Sequence, residues 1–299
     1  MPPASTSGRF RADFSIRNCR ITGGSGEVRT GAARVSGGGV FVLGNAVVSN
    51  NIITGNVLAG PEPNWVGGGV YVGYGDPVII GNVISGNVVN PPPLGGSSDS
   101  LGVGGGIHVE GNGIGVVVTH ARIEANTVSG NVAQGEIGKG GGIRVDGADG
   151  TVVTRNLVFG NRSVYGGGGI MVYGHVTLAD NLVFGNSSTQ FGGGINTYQA
   201  AARIINNTIF GNSLTLASTP SGYAYANYGG AVMLDALFAQ SGEALISNNL
   251  IAGNTVTAAG TVGGLHSHIT SPVVSYTDFW NNMKLPSTLD NIGGDFVEA

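Results

Sequence analysis

Charge is what this sequence has least of. Only 10% of its 299 residues are Asp, Glu, Lys or Arg, against roughly a quarter in ordinary soluble domains. The net charge is -4, and no run of lysine or arginine forms a stripe that tracks phosphates. Nucleic acid is therefore not an expected partner. Six of the thirteen basic residues fall between Arg9 and Arg34, but they are scattered and read as a polar end coil. Cys19 is the sole cysteine, so no disulfide forms within the chain. No apolar run approaches the ~18 residues that a membrane-spanning helix needs. The opening Met1-Pro2-Pro3-Ala4-Ser5 has neither the charged nor the apolar region of a secretion signal. An exported protein of this sequence would take its signal from outside it.

What is present is glycine, 56 residues of it, together with an ordinary hydrophobic content of 41%. Disordered glycine-rich chains lack the aliphatic residues to build a core; this chain has them, mostly as Val and Ile. Self-similarity then decides the fold class. The phrase Asn-x-[Ile/Val]-x-Gly-Asn starts at Asn51, Asn82, Asn126, Asn156, Asn181, Asn207 and Asn249, and a degenerate copy ends at Asn281-Asn282. A second phrase, Gly-Gly-[Gly/Ala]-[Ile/Val], follows each copy, as in Gly104-Gly105-Gly106-Ile107 and Gly167-Gly168-Gly169-Ile170. Successive copies lie from 25 residues apart (Asn156 to Asn181) to 44 apart (Asn82 to Asn126). Twenty-five residues are too few for a helix pair, and β-branched residues dominate the short runs.

The pattern predicts an all-β fold, a right-handed parallel β-helix of about eight to nine coils forming a single domain over residues 1–299. Residues 1–36 make an N-terminal coil or cap, 37–282 the regular coils, and 283–299 a tail that opens like a further segment. Alternate strand side chains face opposite sides. Val40 and Val42, or Ile170 and Val172, then point inward, and Phe41 and Met171 point outward. Coils stacked ~4.8 Å apart set like on like. Asparagine tolerates the left-handed backbone that a corner needs. Asn51, Asn82, Asn126, Asn156, Asn181, Asn207 and Asn249 are accordingly expected at left-handed corners, stacked as a structural ladder.

These paired phrases resemble the repeats of the polymorphic outer membrane proteins, in which Gly-Gly-Ala-Ile alternates with Phe-x-x-Asn. Gly229-Gly230-Ala231-Val232 is close to the first, and Val158-Phe159-Gly160-Asn161 fills the second with an aliphatic lead residue. The chain looks equally like other right-handed β-helix repeat proteins of bacterial surfaces. The resemblance spans about residues 37 to 282 and implies surface display and, in some members, adhesion. The pectin-lyase-like superfamily is similar in architecture and includes polysaccharide lyases and hydrolases. This chain departs from the outer membrane family in having no C-terminal barrel.

Between the two phrases the chain varies in length, from 162–166 and 187–191 to 88–103 and 213–228. The two longest segments, the second carrying Tyr223 and Tyr225, are expected to wall a trough. Its floor is the outward face of the Gly-Gly strands: Phe41, Tyr71 and Tyr74, then His108 and Glu110, Arg144 and Asp146, Met171 and Tyr173, Asn196 and Tyr198, Met233 and Asp235, and last His266 and His268. Such a face suits an extended chain, polysaccharide or peptide, since four coils span ~15–20 Å.

Two classes of function follow. One is a non-enzymatic extracellular or cell-surface module for adhesion, display or polysaccharide binding, with Tyr71, Tyr74, Asn196, Tyr198, Asp235, Tyr223 and Tyr225 in contact with ligand. The other is a polysaccharide lyase or glycoside hydrolase using His108, Glu110, Arg144, Asp146 and Tyr173. There Arg144 would neutralise a uronate while His108 or Tyr173 takes a proton. Ordinary cross-strand pairing of these charges is the plainer reading. No cofactor is expected. Calcium, which takes six to eight oxygens, would find two or three here. Trp65 is expected in a loop, where it could stack on a sugar, and Trp280 over the end of the core. The remaining partner is an end-to-end neighbour, either further segments or another copy.

Overall fold

The structure is a computed structural model. It describes residues 14–29, 34–58, 64–91, 101–111, 119–135, 137–198, 201–215, 229–235, 244–257, 262–268, 272–284, 288–289 and 291–294. Every regular element among them is a strand. Each coil contributes in turn to four long sheets. The first sheet runs from Phe14–Arg17 through strands such as Ala46–Ser49 and Val152–Thr154 to Val273–Ser275. The second runs from Arg20–Ile21 through Ile52–Thr54 and Leu157–Phe159 to Asp278–Trp280. The third holds two-residue strands such as Val132–Ala133, and the fourth holds the Gly-Gly strands from Val40–Leu43 to Ile292–Gly294. The first, second and fourth sheets have nine strands each. Pairing is parallel throughout except in two short hairpins, Glu27–Arg29 with Arg34–Ser36 and Met283–Lys284 with Thr288–Leu289. The molecule is an all-β parallel β-helix.

The inward register follows the alternation. In the first sheet Val48, Ile79, Ile123, Val153, Leu178, Ile204 and Ile246 stack in one column, all fully buried. With the inward columns of the second and fourth sheets they form one cluster reaching from Val40 to Leu265. Each such side chain contributes about 1.5–3 kcal/mol on burial, and the cluster has no breaks along the axis.

Asparagine holds the corners, in two ladders rather than one. The predicted ladder from Asn51 to Asn249 is present. Each amide Nδ2 donates to the next Oδ1, as from Asn156 to Asn181 at 3.0 Å, and to a carbonyl of the preceding coil, as from Asn156 to Ile123 at 2.9 Å. The second asparagine of the phrase builds an equal ladder through Asn56, Asn87, Asn131, Asn161, Asn186, Asn212, Asn254 and Asn282. The left-handed backbone was expected at the ladder residues themselves, and that is corrected. It belongs to the residue before: Asn50, Gly81, Ala125, Arg155, Asp180, Asn206 and Asn248 before the first ladder, and Gly55, Gly86, Gly130, Gly160, Gly185, Gly211 and Gly253 before the second. The preceding residue turns the corner, and the asparagine is then free to point inward and be fully bonded. Buried amides are stable only when satisfied in this way.

The Gly-Gly phrase is required by close approach between coils. A Cβ on Gly168 would stand 2.3 Å from the Ser187 carbonyl oxygen and 2.5 Å from that of Gly193. No side chain fits between those backbones.

Candidate functional site

The fourth sheet carries the predicted site, and its strands are in register. Ile107–Glu110 pairs with Ile143–Asp146, then Ile170–Tyr173, Ile195–Tyr198, Val232–Asp235 and Leu265–His268. Glu110 is therefore opposite Asp146, as expected, followed by Tyr173, Tyr198, Asp235 and His268 at the same strand position.

The outward face is not one open floor. Its two columns differ sharply in exposure. The column at the second strand position is covered: Tyr71 is 2% exposed, His108 1%, Arg144 4%, Met171 0%, Asn196 2%, Met233 0% and His266 6%. The cause lies in the chain entering each strand. Its positive-φ glycine turns back over the column, so that a Cβ on Gly104 would touch the Cβ of His108 and one on Gly140 that of Arg144. The residues just upstream form an outer layer of their own. Arg34–Ser36, Asn64–Val66 and Leu101–Val103 pair side by side, and bridges continue through Lys139, Gly166 and Phe191. Val66 and Val103 pack on Tyr71. Trp65, expected in a loop, belongs to this layer and is buried against Val35, Leu58 and Val89.

Beneath that layer the first part of the column is a stack of rings followed by a cation, Arg144. Phe41 lies 5.0 Å from Tyr71, and Tyr71 lies 5.7 Å from His108 with the rings nearly parallel. The Tyr71 hydroxyl donates to Glu110 Oε2. Arg144 Nη2 donates to Asp146 Oδ1 at 2.9 Å. Glu110 and Asp146 are thus each tethered by a buried group from the covered column.

The fourth-position column remains half-exposed at Tyr74, Glu110, Asp146, Tyr173, Tyr198 and His268. The Tyr173 and Tyr198 rings stack at 6.0 Å. Burial pushes the Asp146 carboxyl up, but the charges of Arg144, His108 and Lys139 and the Arg144 hydrogen bond outweigh it. The group sits below its ordinary value of 3.8. Tyr223 and Tyr225 lie outside the described residues, as does most of both expected walls. Length also varies at the opposite edge of this sheet, where segments 111–121 and 236–244 are much longer than 44–45. Segment length therefore varies on both sides of the sheet, not only between the two phrases.

Other polar and aromatic residues fall elsewhere. His120 and His175 are exposed and pair with Asp76 at 3.1 Å and Asp149 at 3.2 Å. Trp280 does not cover the core end but is 72% exposed. Among the described residues no three His, Cys, Asp or Glu side chains gather as a metal site. Two features escaped the sequence reading. Phe159, Phe184 and Phe210 form a stack on the outside of the second sheet, with centroids 5.0 Å apart. The repeated Val-Phe-Gly-Asn and Ile-Phe-Gly-Asn runs carried that signal. Glu124 is buried between Arg122 and Arg155; nothing in the spacing of those residues signalled it. Comparison with protein-family models, curated proteins and solved structures gave no match.

Proposed function

We propose that this chain is a surface-type binding module that holds an extended polysaccharide along the row Glu110, Asp146, Tyr173, Tyr198. The observation that carries the reading is the row itself. Two carboxylates and then two stacked tyrosines follow one another at successive coils, half-exposed and in register. Successive strands lie ~4.8 Å apart, so the row offers a repeat on the scale of a sugar residue. Carboxylates accept hydrogen bonds from sugar hydroxyls, and tyrosine rings take their apolar faces. Variable segments flank the sheet on both sides, the usual place for recognition on a rigid scaffold. Extracellular or surface display belongs to the same proposal.

Binding is favoured over cleavage for a chemical reason. A general acid needs a carboxyl held protonated near neutral pH, whereas Asp146 is held ionised. His108 and Arg144, the partners that a lyase would use, are covered by the outer layer. Native electrophoresis through gels that each contain one acidic or neutral polysaccharide tests the proposal. Retardation in one gel without a cleared zone supports it. A cleared zone replaces it with the enzyme reading, and unchanged mobility in every gel removes polysaccharide as the ligand.

A further inference from the structure

In the first and second sheets the two ends of the coil stack present matching corners. At the first rung Phe14–Arg17 and Arg20–Ile21 meet at Asn18, with φ 55°; at the last, Val273–Ser275 and Asp278–Trp280 meet at Tyr276, with φ 48°. These strands are outermost in the first and second sheets, so each has one edge unpaired among the described residues. An unpaired parallel edge is a template for another strand. Among the described residues the core is incompletely covered at the same places. Ile16 and Ile21 at one end, and Val274 and Phe279 at the other, pack on it but are only partly buried. Large exposed apolar side chains collect there as well. Phe14 is 37% exposed at the first rung, while Val273 is 45%, Trp280 72% and Tyr276 85% exposed at the last.

Charge decides which end meets which. One outward column of the second sheet runs Arg20, Ile52, Val83, Thr127, Leu157, Leu182, Thr208, Leu250, Asp278. It begins with a cation and ends with an anion. A second copy that continued the column would set its Arg20 directly opposite Asp278, the favourable cross-strand pair. Joining two first rungs would set arginine against arginine. The first of the two asparagine ladders continues equally well. Cys19 N–H donates to Asn51 Oδ1 at the first rung, and Asn249 N–H donates to Thr277 Oγ1 at the last, so Thr277 and the next copy's Cys19 would be successive members.

We propose that this chain associates head to tail with a second copy of itself, the last rung of one extending the first and second sheets of the next. The contact is heterologous, so repeated addition gives open filaments rather than closed dimers. It rests on the end rungs alone and is independent of the polysaccharide reading.

Sedimentation equilibrium over a wide concentration range tests it. The expected result is a mass that rises with concentration beyond that of a dimer. Arg20→Asp and Asp278→Arg should each return the protein to a monomer, and the double variant should associate again. An equimolar mixture of the two single variants should associate into alternating filaments, because the tail of each variant then matches the head of the other. A chemical readout stands beside this. In Thr277→Cys, oxidation should give a covalent ladder of multimers, since neighbouring rungs place the Cα atoms ~4.8 Å apart, within disulfide reach. Cys19→Ser in that background should abolish the ladder. A wild-type protein that stays monomeric while Thr277→Cys fails to cross-link overturns the proposal. So does association that survives both charge reversals.

Discussion

Arg144 and Asp146 stand two residues apart on one strand and share a 2.9 Å hydrogen bond, but they live in different media. The Arg144 side chain is 5% exposed and that of Asp146 39%. Among the described residues, Arg144 Nε and Nη1 have no hydrogen-bond partner. Removing the two partners therefore has unequal consequences. Asp146→Asn strands a buried guanidinium and is expected to cost about 2–4 kcal/mol. Arg144→Met leaves a carboxylate that water can reach and should cost about 1 kcal/mol or less. Urea denaturation of both variants checks the order.

The same pair sets a pH dependence. Asp146 has a folded value below its ordinary 3.8, so it stabilises the folded state above that pH. The contribution is lost as pH falls through the depressed value. Stability of the wild type should decline more steeply below about pH 4 than that of Asp146→Asn. Denaturant midpoints measured between pH 7 and 2 distinguish the two slopes.

Asn156 bonds on both sides of its rung. It accepts from the Asn126 N–H at 2.9 Å and donates to Thr154, Ile123 and Asn181. Asn156→Leu leaves several of these groups buried and unpaired, at a cost on the order of 3 kcal/mol. Asn161→Leu, in the other ladder, should cost as much. Because repeat stability is a sum over neighbours, the same change near an end, Asn282→Leu, should lower the melting temperature less. Calorimetry compares the three.

Glycine serves two different ends, and substitution separates them. Gly168→Val forces a side chain into the Ser187 and Gly193 carbonyls and should lower the melting temperature by several degrees. Gly185 has φ 59° with no atom within 4 Å of a built Cβ, so only its backbone conformation matters. Gly185→Ala should cost about 1 kcal/mol and Gly185→Asn less, since asparagine visits this region readily. Thermal melts of the three variants test the distinction.

Tyr173 and Tyr198 are half-exposed and their rings stack on each other. Replacing both with alanine should weaken polysaccharide binding about tenfold, roughly 1.4 kcal/mol, with little change in melting. Affinity electrophoresis of the double variant alongside the wild type provides the comparison.

The inward residues were legible because alternation assigns a side to every strand residue, and seven copies of one phrase set the register. One ladder was legible from its asparagines. The other was spelled out by the last residue of the same phrase, but only the structure revealed that Asn56 and its successors are buried as deeply as Asn51. The backbone of the corner was misassigned because its positive-φ residue varies among Asn, Gly, Ala, Arg and Asp. Context imposes that conformation, and composition does not announce it. The site was half legible. Alternation places His108 and Arg144 on the outer side of their strand, but it says nothing about what lies over that side. The covering layer comes from the residue immediately before each Gly-Gly phrase, but that residue is variously Ser36, Val66, Val103, Lys139, Gly166 and Phe191, so composition does not announce a strand there.

The paired asparagine ladders have a consequence for how such a chain can change over time. An amide that bonds only within its own rung and the rungs beside it registers whether a coil has returned to the corner, not how far it wandered in between. Segments as different as 162–166 and 88–103 satisfy the same two contacts. Whole coils can therefore be duplicated, deleted or shuffled as interchangeable units, and loops can lengthen, without any distant residue having to compensate.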